Sequence, residues 1–266
     1  MSMSNLVSDS KISAHNLSYS YSEKCILSDL SVDFPKGKVS VVIGPNGCGK
    51  STLLNALSGL LKPQAGVVKL DNKPLLSQSL NARAKQLSLL PQKNTAPHGI
   101  TVKELVARGR YAYQTWLRQW HEDDEYAVDQ ALVQTGLTDL ADSSISTLSG
   151  GQLQRAWLGL VLAQQTPLLL LDEPTTFLDI GHQLEVLNVC KKLNEEQGRT
   201  IIMVLHDLNL AAKYAHHMVA MRDGFVISSG TPEEVYQPEI LRQLFNINCT
   251  VMPDPGCGSP MIIPVS

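Results

Sequence analysis

No run of apolar residues in this chain is long enough to cross a bilayer. The densest, 168–171 and 201–205, fall far short of the roughly 20 residues a spanning helix needs. The opening stretch, MSMSNLVSDSKIS, has no apolar core of the kind a signal peptide requires, which predicts a soluble chain that stays where it is made. Basic excess is also missing. The 22 Lys and Arg are outnumbered by 25 Asp and Glu, which gives none of the basic excess that a nucleic-acid surface normally demands and argues against such a partner. Cysteine is scarce: Cys25, Cys48, Cys190, Cys249 and Cys257 form no C-x-x-C pair. Such an odd set suits a reducing compartment and argues against a disulfide framework. Internal repeats and low-complexity runs are absent too. What remains is 266 residues at 43% hydrophobic content, enough to bury one sizeable core without covalent staples.

Residues 11–43 alternate apolar and polar positions, as at Leu30, Val32 and Phe34, and break at Pro35-Lys36-Gly37 before the apolar run Val39–Ile43. This predicts antiparallel sheet feeding a buried strand. Further apolar runs follow at 87–90, 168–171, 201–205 and 218–221, the last turning through Asp223-Gly224 into 225–227. Helical patterns separate most of them, which predicts an α/β sheet with parallel central strands. The interval 93–165 reads differently. It carries a capping-box spacing at Thr101 and Glu104, an amphipathic stretch at 123–136 and no convincing strand, so it is expected to be a helical lobe inserted into the core. The final segment, PDPGCGSPMIIPVS, is proline-rich and reads as an extended terminal strap.

Gly44-Pro45-Asn46-Gly47-Cys48-Gly49-Lys50-Ser51 matches the phosphate-loop pattern G-x-x-x-x-G-K-[ST] directly after a strand, and a helix-like run begins at Thr52. The pattern should arise by chance in about one chain in a hundred of this length. The glycines let backbone N–H groups curl around phosphate oxygens, Lys50 can reach the β- and γ-phosphates, and Ser51 offers a hydroxyl to Mg²⁺. Cys48 belongs to the loop through its backbone, and all five cysteines read as structural or incidental. A second element, Asp172-Glu173, ends the buried run 168–171. There Asp172 could hold Mg²⁺ through its water shell and Glu173 could polarise an attacking water. Gln92 and His206 follow apolar runs in the same way. Gln92 could bind Mg²⁺ or the lytic water, and His206 could hydrogen-bond the γ-phosphate. His15, His98, His121, His182, His216 and His217 lack such a setting and receive no role; the adjacent pair 216–217 reads as a helix end.

Leu148-Ser149-Gly150-Gly151-Gln152 precedes a helix-like run and forms a second phosphate-binding helix start. The chain's own loop already encloses its nucleotide, so the economical arrangement is an exchange in which each of two copies closes over the other's ATP.

With these elements in order, the chain resembles the ATP-binding cassette family over nearly its whole length. The resemblance implies an α/β fold: a P-loop NTPase core of RecA type, an antiparallel β subdomain and an inserted helical subdomain. The core and β subdomain would take residues 1–92 and 166–266, the helical subdomain 93–165. It further implies that residues 44–51 are the Walker A loop, Gln92 the Q-loop, 148–152 the signature, Asp172 and Glu173 the Walker B acids, Leu178-Asp179 the D-loop and His206 the switch histidine. Tyr21 sits where the family stacks an aromatic on adenine, with Tyr19 as the alternative. Phe177 stands where the commonest D-loop wording has Ala. The segments 100–111, 172–179 and 205–209 are similar to those of ATPases from ferric-siderophore, haem and cobalamin importers, above all the ferric-siderophore group. In that group two identical ATPases, at the cytoplasmic face of a bacterial inner membrane, drive two permease chains fed by a periplasmic binding protein.

Two rivals are weighed against this. Translation-type cassette proteins usually carry two cassettes per chain, and repair-type ones a long insertion between Walker A and signature; here there is one cassette with only about a hundred residues in that interval. A regulatory nucleotide-binding module without turnover is disfavoured because Glu173 and His206 are both present.

Overall fold

The computed structural model describes residues 10–95, 99–114, 119–176 and 178–265. Residues 1–9, His98 and Phe177, which entered the reading above, lie outside that range. Strands β1 (Ser10–Tyr21) and β2 (Lys24–Pro35) form an antiparallel hairpin, and β3 (Val39–Ile43) leads through residues 44–49 into helix α1 (Lys50–Ser58). Next come β4 (Ala65–Leu70), β5 (Lys73–Pro74), α2 (Leu80–Ala84) and β6 (Leu87–Leu90). Helices α3 (Val102–Ala107), α4 (Glu122–Thr135) and α5 (Gly150–Ala163) follow. The chain then runs through β7 (Leu168–Asp172), α6 (Ile180–Gln197), β8 (Thr200–Val204), α7 (Leu208–Tyr214), β9 (His217–Arg222) and β10 (Phe225–Gly230). Two short helices, α8 (Pro232–Val235) and α9 (Pro238–Phe245), precede the pair β11 (Cys249–Pro253) and β12 (Pro260–Pro264).

Six strands build the central sheet in the order β10-β9-β3-β8-β7-β6, parallel throughout except for β10 at the edge. Strands β3, β7 and β8 are buried at every residue, as a sheet covered on both faces requires. Period-two alternation sorts their side chains between two cores. Val41, Leu169, Leu171, Ile201 and Met203 face the helical side, with Leu187 of α6 and Leu105 and Leu158 of the helical lobe. Val42, Leu168, Leu170 and Ile202 face α1 and the separate antiparallel sheet β2-β1-β4-β5, meeting Leu53, Leu57, Phe34 and Ile12. Each fully buried leucine or isoleucine contributes about 1.5–3 kcal/mol, so the two layers clamp the parallel strands from both sides. Because β3, β6, β7 and β8 run parallel, the loops after them leave one edge of the sheet together.

The α3 start follows the predicted capping box: the Glu104 N–H donates to Thr101 Oγ1 and the Thr101 N–H donates to the Glu104 carboxylate at 2.8 Å. The C-terminal expectation needs correction. PDPGCGSPMIIPVS is not an extended strap: Pro253, Pro260 and Pro264 sit at the ends of β11 and β12, which pair antiparallel from Cys249 with Pro264 to Pro253 with Pro260, and Pro255 lies in the turn between them. Proline lacks a ladder donor but is tolerated at strand ends and edges, so here it marks the borders of a hairpin. Within the turn, Asp254 accepts from the Gly256 and Cys257 N–H groups.

Candidate functional site

Residues 44–49 are pressed between β9 and β2, and glycine is what lets them fit. A Cβ on Gly44 would lie 2.1 Å from the Met221 carbonyl oxygen, and one on Gly49 2.9 Å from Leu27 Cδ2. Gly49 caps α1 with φ +106° and without a side-chain hydrogen bond, which leaves the first-turn N–H groups without a side-chain acceptor. Lys50 opens the helix and is only 5% exposed. Its Nζ donates to the carbonyls of Gly44 at 2.8 Å and Pro45 at 2.9 Å, and among the described residues it forms no salt bridge. A buried ammonium held only by carbonyl dipoles is a receptor for an anion.

Two carboxylates end β7. Asp172 Oδ1 accepts from Ser51 Oγ at 3.0 Å. Burial pushes its pKa up, against the pull of that hydrogen bond. Glu173 lies just beyond, on a left-handed backbone with φ +53°, a conformation that costs a non-glycine residue about 1–2 kcal/mol. It is held by donors: His206 Nε2 is 2.7 Å from Oε1, and Thr176 Oγ1 donates to Oε2 at 3.0 Å. Burial would raise the Glu173 pKa, but hydrogen bonds from Gln92, His206 and Thr176 together outweigh it and hold the carboxyl below its ordinary range. Gln92 and His206 therefore meet Glu173 from beyond the ends of β6 and β8.

A cavity of about 610 Å³ lies along this sheet edge, within the range of small-ligand sites. Of the candidate residues, Asn46, Gly47, Gly49, Lys50, Ser51, Thr52, Gln92, Glu173 and His206 line it. Gly44 and Cys48 are buried behind the loop, and Asp172 reaches the site through Ser51. Lys24, Ile26 and Thr176 line it as well. Thr176 follows Glu173 in the same turn and could have been found from that spacing; Lys24 and Ile26, at the start of β2, carry no sequence signal. Tyr21 is not among the lining residues. It is 51% exposed at the hairpin tip, edge-on to Tyr19 with centroids 4.9 Å apart, while Tyr19 packs on the core beneath the antiparallel sheet.

The signature and Asp179 stand apart from the cavity lining. Ser149 caps α5, its Oγ accepting from the Gln152 N–H at 3.3 Å while its own N–H donates to Gln152 Oε1 at 2.9 Å. Ser149 and Gly150 are exposed, and a Cβ at Gly150 would meet nothing within 4 Å. Asp179 caps α6 and lies 2.7 Å from His182 Nδ1. The His182 ring packs so closely on Gly151 that a Cβ there would come within 2.8 Å of it, a link between the starts of α5 and α6 that a lone histidine in the sequence did not signal. Gln154 of α5 donates to the Pro174 carbonyl at 3.0 Å, tying the signature helix to the turn after Glu173. No cluster of three or more His, Cys, Asp or Glu suited to a metal occurs among the described residues. Ser51, Asp172 and Gln92 offer hard oxygen donors, a set that fits Mg²⁺ when phosphate oxygens and water complete it.

Comparison with known proteins identifies the company this site keeps. A family described as ABC transporter matches residues 27–176, more than half of the chain. The achromobactin transport ATP-binding protein CbrD of Dickeya dadantii (strain 3937) is 51% identical, over 95% of this chain and 94% of its own length. The ferric enterobactin transport ATP-binding protein FepC of Escherichia coli (strain K12) is 44% identical, over 96% and 94%. Among solved structures, an inward-facing transporter described as metal-chelate type superposes with a TM-score of 0.83 at 26% identity, covering 97% of this chain and 98% of that one. A dimeric ATP-binding cassette in a post-hydrolysis state, bound to ADP and Pi, superposes with a TM-score of 0.74 at 28% identity, covering 83% and 98%.

Proposed function

The chain belongs to the ABC transporter family, and on that premise we propose that it is the ATP-hydrolysing subunit of a bacterial importer for a ferric siderophore. It binds nucleotide and hydrolyses ATP, as the family does. The cargo reading rests on near full-length likeness to transport ATP-binding proteins named for achromobactin and ferric enterobactin. The observation that carries the catalytic reading is Glu173 at the end of β7, 2.7 Å from His206 and on the same cavity as Lys50.

On this reading each residue of the site has a role. The loop N–H groups and Lys50 hold the β- and γ-phosphates, Lys50 exchanging the Gly44 and Pro45 carbonyls for phosphate oxygens. Ser51, Asp172 and Gln92 would hold Mg²⁺, which when bound neutralises charge building on the phosphate oxygens. His206 swings from Glu173 to the γ-phosphate, which frees the carboxylate to orient a water and accept its proton as the water's oxygen bonds to phosphorus and the bond to ADP breaks. Ser149, Gly150, Gly151, Gln152 and Asp179 lie outside the chain's own cavity, with Ser149, Gly150 and Asp179 exposed, and would close over the ATP of a second copy.

Assembly completes the reading. Two copies would sit at the cytoplasmic face of the inner membrane under two permease subunits, fed by a periplasmic binding protein. Among the described residues no helix is long and apolar enough to cross a membrane, so attachment would fall to the permeases. Leu60 and Leu80, 75% and 77% exposed, flank a groove that reaches Leu89 and Pro91, next to Gln92. A permease helix seated there would press directly on the segment that contacts Glu173. The test is uptake of radiolabelled ferric siderophores, haem and cobalamin by cells carrying Glu173→Gln at the native locus. Loss of one ferric-siderophore flux supports the proposal and names the cargo; loss of haem or cobalamin uptake instead refutes the siderophore assignment, and intact uptake of all three refutes the transport role.

A further inference from the structure

The C-terminal hairpin is unexplained by nucleotide binding, yet it touches the segment that presents His206. Asn209 lies three residues beyond that histidine in α7. Its side chain grips the main chain of β12 at both polar atoms of one residue: the Ile262 N–H donates to Asn209 Oδ1 at 2.8 Å, and Asn209 Nδ2 donates to the Ile262 carbonyl at 3.4 Å. Ile262 is itself anchored in the helical-side core. One residue earlier, the Leu208 carbonyl accepts from the hydroxyl of Tyr236, a side chain buried to 1% exposure, at 2.6 Å. One earlier still, Asp207 accepts from the Leu210 N–H at 2.8 Å and closes the cap of α7. Asp207, Leu208 and Asn209, the three residues that follow His206, are thus each held by a hydrogen bond, while the His206 side chain is exposed and meets Glu173 at 2.7 Å.

We propose that Asn209 and Tyr236 are positioning residues for hydrolysis: with the β11–β12 hairpin as a fixed abutment, they set the start of α7 and so the reach of His206 toward Glu173 and the γ-phosphate. Ala211, Ala212 and Tyr214 seat the later part of this seven-residue helix in the core, so the bonds at Leu208 and Asn209 act on its first turn, next to His206, where a displacement of an ångström at the reacting group can cost orders of magnitude in rate. The inference rests on the assignment of His206 to hydrolysis made above.

The experiment uses the full chain with Asn209→Leu, which removes both bonds at similar volume, and Tyr236→Phe, which removes only the hydroxyl. ATPase kinetics are read alongside the imidazole nitrogen resonances of the nucleotide-free protein, with the His206 signal assigned by its loss in His206→Gln. In both variants kcat falls by about tenfold, KM for ATP stays within about twofold, and the His206 resonances move while those of His15, on the antiparallel sheet, do not. Unmoved His206 resonances with wild-type kcat overturn the proposal. So does a general loss in which KM, melting temperature and every histidine shift together, because the two residues then serve the fold as a whole. Failure of the premise looks different: His206→Gln itself retains wild-type turnover.

Discussion

Glu173 Oε1 and His206 Nε2 lie 2.7 Å apart although they leave the sheet from different strands, β7 and β8. The pairing means that the candidate base is shielded until its partner is drawn away. Glu173→Gln preserves the side-chain shape but cannot accept a proton. It should therefore keep ATP affinity within a few-fold while lowering kcat by about 10²–10⁴, and ATP should convert the variant to a dimer on size-exclusion chromatography. Hydrolysis at the wild-type rate would mean that another group takes the proton.

The phosphate loop supplies a graded test of packing. Gly47 has φ +78° but open space around a would-be Cβ, whereas at Gly44 that atom would sit 2.1 Å from the Met221 carbonyl oxygen. Gly47→Ala meets only backbone strain and should cost about 1–2 kcal/mol. Gly44→Ala must displace β9 or the loop and should cost about 3 kcal/mol or more. Urea midpoints of the two variants check the order, and equal losses would show that the loop yields without moving β9.

What could be read from the sequence, and what could not, divides along local and non-local lines. The run 44–51 and the acids after 168–171 were legible because a phosphate site demands fixed residue types at fixed spacing, and the α3 box at Thr101 and Glu104 because it spans a single turn. Lys24 and Ile26 were not legible: they reach the cavity only because β1 and β2 fold across the start of α1. Strand β4 joined the N-terminal sheet from beyond α1 through pairs such as Ile12 with Leu70, a register that nothing local encodes. Proline content disguised the terminal hairpin as a strap, although Pro253 and Pro260 face each other across its ladder.

In the helical lobe, Arg110 and Asp124 form an ion pair in which both are essentially buried, at 2% and 0% exposure, with Nε 2.8 Å from Oδ1. Arg110 also donates to the Ala163 carbonyl at 2.8 Å and stacks over Tyr113, and Asp124 accepts from the His121 N–H. Removing one partner strands a buried charge, so Asp124→Ala should destabilise by about 3–5 kcal/mol. The Lys103–Glu125 pair nearby is open to solvent, and Glu125→Ala should cost no more than about 1 kcal/mol. Denaturant unfolding compares them; similar losses would mean that α4 depends on its first-turn acids collectively.

The adjacent histidines 216 and 217 mark the entry to β9, where both rings are needed neutral. His217 Nε2 is 3.0 Å from Ser229 Oγ, and its Nδ1 is buried without a hydrogen-bond partner among the described residues. Burial pushes its pKa below the ordinary histidine value, against the charges of Asp33 and Glu234. Burial and then the Lys38 charge push His216 the same way, and its Nδ1 accepts from the Val39 N–H at 3.2 Å, which a protonated ring cannot do. Unfolding returns both rings to a pKa of about 6.5, so below that pH the unfolded chain binds more protons than the folded one. Stability is therefore complete above pH about 6.5 and declines as pH falls through the lower folded values. The urea midpoint should drop as pH falls below about 6.5, and the double variant His216→Asn, His217→Asn should flatten that drop. An identical slope in the variant would assign the acid sensitivity to carboxylates elsewhere and remove these rings from the account.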